Sequence, residues 1–233
     1  MENPTAQKTV LLIGASRGLG FAMAEEYLQR GWRVIATGRA SSTGKLRQIA
    51  ASSDGALEVE EVDIMFPEQI AALRARLSDR KLDVLFVNAG VKNEDGETIG
   101  GVSTEEFVRV MVTNSLSPMR VIEACQDLVN PTGTIGVMSS GQGSLANNTN
   151  GNYEVYRSSK AALNMFMRSF AAKHNGSRTL LLMAPGWVRT DMGSSKARLS
   201  IQESIPNVLN TMESYQGRGG LHYLDYLGRV VPW

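Results

Sequence analysis

The sequence predicts an α/β fold: a doubly wound parallel sheet of about seven strands with helices on both faces, in one domain over residues 1–233. Three observations carry the prediction. Short apolar runs alternate with longer helix-patterned segments along the chain, and parallel neighbours need such crossovers. The runs are near-continuously apolar, as when both faces of a sheet are covered. Glycine-, serine- and tyrosine-bearing motifs fall just after strands, where open sheets of this class bind ligands.

Taken in order, 9–13 reads as the first strand, with Val10, Leu11, Leu12 and Ile13 as its apolar run. Strands 33–37, 57–62, 84–87, 134–138 and 179–183 follow, with a seventh near 221–223. Between them, 19–29, 67–77, 105–128 and 153–173 carry Ala, Leu, Met, Arg and Glu at helical spacing. No Pro/Ser-rich linker, repeat or charge block divides the chain.

The bulk composition narrows the function. Apolar residues at 42% and charged residues at 20% are ordinary for a soluble globular protein. A net charge of +1, from 24 basic and 23 acidic residues, argues against nucleic acid or an anionic membrane as partner. The single cysteine, Cys125, excludes an internal disulfide and reads as a core residue in an apolar helical stretch. Residues 1–8 are polar and lack the pattern of a secretory signal, and no apolar run approaches a spanning helix. A cytoplasmic location is expected.

After the first strand comes Gly14-Ala15-Ser16-Arg17-Gly18-Leu19-Gly20, opening a helical pattern. Glycines let a backbone turn tightly and approach a pyrophosphate, and the helix start offers free N–H groups to the anion. The spacing is GxxxGxG, and its place after a first strand makes it a dinucleotide signal. An NAD-selective site usually has a carboxylate about 20 residues further on. Here the second strand runs into Thr37-Gly38-Arg39. Arg39 and Arg17 suit a 2′-phosphate, so NADP(H) is expected in preference to NAD(H).

Three further signals end later strands: Asn88-Ala89-Gly90, Ser139-Ser140-Gly141-Gln142-Gly143, and Tyr156-Arg157-Ser158-Ser159-Lys160 at a helix start. A tyrosine and lysine four apart share a helical face, about 6 Å apart along the axis. A nearby ammonium is expected to lower the tyrosine pKa towards useful acid–base work. Tyr153, seven residues before Lys160, lies about 10 Å from it along a helix, too far for that coupling.

These motifs resemble those of the short-chain dehydrogenase/reductase family, across nearly the whole chain. The stretches 151–164 and 184–193 look like the C-factor-like and sniffer-like carbonyl reductases. The resemblance implies a Rossmann fold and hydride transfer between NADP(H) and a small carbonyl or secondary alcohol. It makes Tyr156 the proton donor and acceptor, Lys160 the ribose ligand, and Ser140 the group orienting the carbonyl. Asn114 would hold a relay water. Asp63 would lie beside the adenine, and Thr190, with Pro185, Gly186 and Val188, would contact the nicotinamide. Gly14, Ser16, Arg17, Gly18, Leu19, Gly20, Arg39, Asn88, Ala89 and Gly90 complete the expected cofactor site. Two residues depart from the family pattern: Ile13 replaces a frequent threonine, and Val87 replaces the first asparagine of Asn-Asn-Ala-Gly.

The family's substrate lid would span 192–217, with a helix near 201–214 and mixed residues such as Met192, Leu199, Ile205, Leu209, Lys196 and Arg198. An apolar or mixed carbonyl substrate is expected. The resemblance also implies a homodimer or homotetramer through helices 105–128 and 153–173. Neither His174 nor His222 supports a rival mechanism. Ser139 and Ser140 lack a Gly-x-Ser-x-Gly elbow, and no residues have metal-ligand spacing. A non-catalytic NADP-binding regulator on the same fold is the alternative, followed by a dehydratase or epimerase using the same cofactor.

Overall fold

A computed structural model describes residues 7–174 and 176–233; most of the polar start lies outside them. The seven strands are β1 (Thr9–Ile13), β2 (Arg33–Gly38), β3 (Leu57–Glu61), β4 (Leu82–Val87), β5 (Val129–Met138), β6 (Thr179–Ala184) and β7 (Gly220–Asp225). They form one parallel sheet in the order β3-β2-β1-β4-β5-β6-β7. The order reverses between β1 and β4, the switch point beyond whose carboxyl ends open sheets of this class bind ligands.

The helices are α1 (Gly18–Gln29), α2 (Gly44–Ala51), α3 (Pro67–Arg76), α4 (Thr104–Met111), α5 (Ser117–Cys125), α6 (Glu154–Lys173) and α7 (Ile201–Tyr215). Successive strand residues point to opposite faces, so each strand feeds two cores. Leu11, Ile13, Leu85 and Val87 meet Leu73, Val121, Leu163 and Met167 on the α3/α5/α6 side. Val10, Leu12, Val84 and Phe86 meet Met23, Leu46, Val208 and Leu209 on the α1/α2/α7 side.

Three local differences from the sequence reading have physical causes. The edge strand β3, Leu57-Glu58-Val59-Glu60-Glu61, alternates in polarity, and Glu58 and Glu60 pair with Arg80 and Arg76 at 3.1 and 2.7 Å. Charges on an outer strand discourage pairing with another chain. The single helix expected at 105–128 is broken by a π turn at Val112–Leu116, centred on Asn114. Of the expected lid, α7 places Ile205, Val208, Leu209 and Met212 in the core, and the preceding loop carries the exposed residues.

Candidate active site

The glycine loop is bracketed by its neighbouring strands. The Gly14 amide donates to Thr37 Oγ1 at 3.0 Å, and the Ala15 amide donates to Thr37 O at 2.7 Å. Thr37, not expected from sequence, thus supplies a hydroxyl beside Ile13, where the family often has threonine. Asn88 Nδ2 donates to Gly14 O at 2.7 Å. Gly14 has φ +83, and a Cβ there would lie 2.7 Å from Ala89 Cα; one at Gly20 would lie 2.1 Å from Gly14 O. Such packing leaves room only for glycine. No side chain caps the N-terminus of α1, so its first amides are left without a side-chain acceptor.

Arg39 is exposed and joins none of the ion pairs among the described residues. Arg17 reaches Asp191 at 3.5 Å, with both side chains in solvent. Strand register also brings a carboxylate the sequence reading missed: Glu61 lies opposite Gly38. Arg47 answers it at 2.8 Å, and that hydrogen bond holds the Glu61 carboxyl below its ordinary value. Asp63 accepts from the Met65 amide at 3.0 Å through Oδ1.

Tyr156, Lys160 and Ser140 come together where β5 and α6 meet. The Tyr156 hydroxyl lies within hydrogen-bonding reach of the Ser140 side chain, and Ser140 Oγ accepts from the Gln142 amide at 3.1 Å. Lys160 is 3% exposed; its Nζ donates to Met138 O at 2.8 Å and lies 5.9 Å from the Tyr156 ring centroid. The expected lowering of the Tyr156 pKa is not what this arrangement produces. Burial pushes the phenol up to about 12, and burial pulls Lys160 down to about 8. Desolvation is the largest cause, and the Lys160 ammonium donates to a main-chain carbonyl and not to the phenol. Tyr153 caps α6 in the left-handed region, φ 62, and is exposed.

Asn114 is fully buried and its amide is fully used. Oδ1 accepts from the Val91 amide at 2.8 Å, while Nδ2 donates to Val91 O at 2.7 Å and Ser159 Oγ at 2.9 Å. A Cβ at Gly90 would lie 3.4 Å from both Asn114 Oδ1 and Lys160 Nζ, which places the Asn88-Ala89-Gly90 turn against both groups. Beyond β6, Pro185 O accepts from Ser204 Oγ at 2.7 Å, Val188 bridges to Leu199, and Thr190 Oγ1 accepts from the Gly193 amide at 3.0 Å. Thr190 Cγ2 comes within 3.9 Å of a Cβ built on Gly18, so this segment borders the glycine loop.

The family profile described as short chain dehydrogenase matches residues 8–199. The chain belongs to the short-chain dehydrogenase family. It shares 56% identity with a Burkholderia multivorans short-chain dehydrogenase/reductase solved with bound NADP; the match covers 97% of this chain and 100% of that one, with TM-score 0.94. The carbonyl reductase Sniffer of D. melanogaster is 27% identical over 97% of this chain and 100% of its own, with TM-score 0.87. C-signal of Myxococcus xanthus is 36% identical over 156 residues, 65% of this chain and 93% of that protein. As a short-chain dehydrogenase the protein is an oxidoreductase. Among the described residues no helix is long and apolar enough to cross a membrane.

Proposed function

We propose that this short-chain dehydrogenase reduces a small carbonyl compound, or oxidises the matching secondary alcohol, with NADP(H) preferred over NAD(H). The convergence of Tyr156 and Ser140 within hydrogen-bonding reach, beside buried Lys160, carries the reading. The loop, close-packed at Gly14 and Gly20 and left-handed at Gly18, with Ser16 and Leu19 and the uncapped start of α1, suits a pyrophosphate. Unpaired Arg39 suits a 2′-phosphate, and Arg47 already answers the neighbouring Glu61. Asp63 is left an oxygen to face the adenine. When bound, the nicotinamide supplies the hydride that reduces the carbonyl carbon.

The protein's own groups do the rest. Ser140 and Tyr156 donate to the carbonyl oxygen and stabilise the negative charge that develops there. Tyr156 keeps its proton through neutral pH, because burial raises its pKa, and gives it to that oxygen. Lys160 holds the nicotinamide ribose, and Thr190 borders the nicotinamide. With its side chain spent on Val91 and Ser159, Asn114 holds the relay water through its main chain. Exposed Leu145, Trp187 and Met192 on the loops beyond β5 and β6 favour an apolar or mixed substrate, with the loop before α7 as lid.

Exposed Val108, Leu116, Met165 and Phe166 on the α4–α6 side support a homodimer or homotetramer. A cytoplasmic enzyme fits this reading. A non-catalytic NADP-binding role is the second reading, favoured by Lys160 bonding Met138 O and not the tyrosine. A panel of ketones and aldehydes, followed by nicotinamide absorbance with NADPH and NADH in parallel, separates the two. Turnover with NADPH supports the reductase; tight NADPH binding without turnover supports the regulator.

A further inference from the structure

Beneath the Ser140 turn lies a buried polar cluster that the reaction scheme leaves unused. Ser139, Asn164 and Tyr223 are each no more than 3% exposed. Ser139 Oγ donates to Asn164 Oδ1 at 2.6 Å, and Asn164 Nδ2 donates to Gly143 O at 3.2 Å. The Tyr223 hydroxyl, on β7, donates to the main-chain carbonyl of Ser140 and lies within hydrogen-bonding reach of Asn164 and Ser139. The Gly143 amide donates to the same carbonyl at 2.9 Å. A Cβ at Gly143 would meet Asn164 Nδ2 at 2.9 Å and Lys160 Cβ at 3.0 Å, so the turn is seated directly on α6.

The spacing on α6 gives this contact its meaning. Tyr156, Lys160 and Asn164 recur every four residues and therefore stand in one row along the helix. The row carrying the proton donor and the lysine continues, one turn on, into the amide that grips the turn bearing Ser140. From the other side the chain end backs Tyr223. The Trp233 ring lies 5.5 Å from the Tyr223 ring, and Trp233 O accepts from the Ala146 amide at 3.1 Å. Polar side chains at this depth cost stability unless their partners are complete, and a completed network holds a single geometry.

We propose that Tyr223, together with Asn164 and Ser139, is a positioning residue: the cluster fixes the Ser140 peptide so that the Ser140 hydroxyl meets Tyr156. The inference rests on the reading of Ser140 and Tyr156 as reacting groups. Tyr223 touches no reacting atom and acts through Ser140.

The test is a cycle of wild type, Tyr223→Phe, Ser140→Ala and the double variant, assayed with NADPH and a carbonyl that the wild type reduces. Tyr223→Phe is expected to lower kcat roughly tenfold, with KM and NADPH affinity changed less than twofold. In the Ser140→Ala background the same substitution is expected to cost less than twofold, because the hydroxyl it positions is gone. Equal losses in both backgrounds, or no loss in either, overturn the inference. Ser139→Ala, which removes one hydroxyl, goes through the same cycle, so a poorly folded Tyr223→Phe leaves a second arm; additivity there overturns the inference equally. A wild type that reduces no carbonyl, or Ser140→Ala as active as wild type, overturns instead the reading of the site on which it rests.

Discussion

Replacing Lys160 with Met is expected to change stability in a pH-dependent way whose size follows from the geometry. Lys160 is 3% exposed, and burial takes its pKa from the ordinary 10.5 to about 8. At about 1.4 kcal/mol per tenfold, carrying the charged form costs the fold about 3 kcal/mol. The hydrogen bond to Met138 O, lost in Lys160→Met, offsets about 1–2 kcal/mol. The variant is therefore about 1–2 kcal/mol more stable than wild type at pH 7. Below pH 8 both folded and unfolded wild type hold the proton, so this advantage is constant. Between about 8 and 10.5 only the unfolded chain holds it, so wild-type stability rises with pH through the Lys160 contribution. Across that window the advantage of the variant falls by about 3 kcal/mol and reverses. Urea unfolding of both proteins at pH 7 and in steps to 10.5, without cofactor, reads the difference. A difference that stays constant with pH, or grows, refutes the assignment of a desolvated ammonium at Lys160.

Other outcomes follow from the same site. Arg39→Ala is expected to weaken NADPH roughly tenfold or more and NADH little, with the NADPH loss shrinking as salt rises, read by titrating both cofactors. Equal losses would mean that Arg39 supports the adenosine pocket generally. Because burial raises the Tyr156 pKa to about 12, ketone reduction is expected to be flat between pH 6 and 8, with the tyrosine protonated throughout. Alcohol oxidation needs the phenolate and is expected to rise about tenfold per pH unit over that range, read from initial rates. Phe166→Asp, on the exposed face of α6, is expected to shift an oligomer to monomer at micromolar concentration in light scattering.

The strands were legible because apolar runs bounded by turn residues leave few alternatives. β5 begins earlier than expected, at Val129 and not at 134. Asn130, Pro131 and Gly133 read as a turn, and the strand accommodates them where its register against β4 shifts. The short helix α2 was missed because only Leu46 among its residues is buried, too little for an apolar stripe. Tyr153 reads as helical by pattern, yet it stands outside α6 as a left-handed cap. Of the site, Tyr156, Lys160 and Ser140 were readable because their spacing is local or tied to a strand end. Asn164 was one further step of four along the same helix and was within reach of that logic. Tyr223 and the Glu61–Arg47 pair were not, since strand register and contacts across the fold bring them in.

The central claim is that the Tyr156 hydroxyl transfers the proton. NADPH oxidation driven by a carbonyl substrate, measured for wild type, Tyr156→Phe and Tyr153→Phe at matched cofactor saturation, tests it most directly. Tyr156→Phe should bind NADPH normally and show no measurable turnover, while Tyr153→Phe retains a substantial fraction. Turnover retained by folded Tyr156→Phe, or lost in Tyr153→Phe alone, would contradict the account.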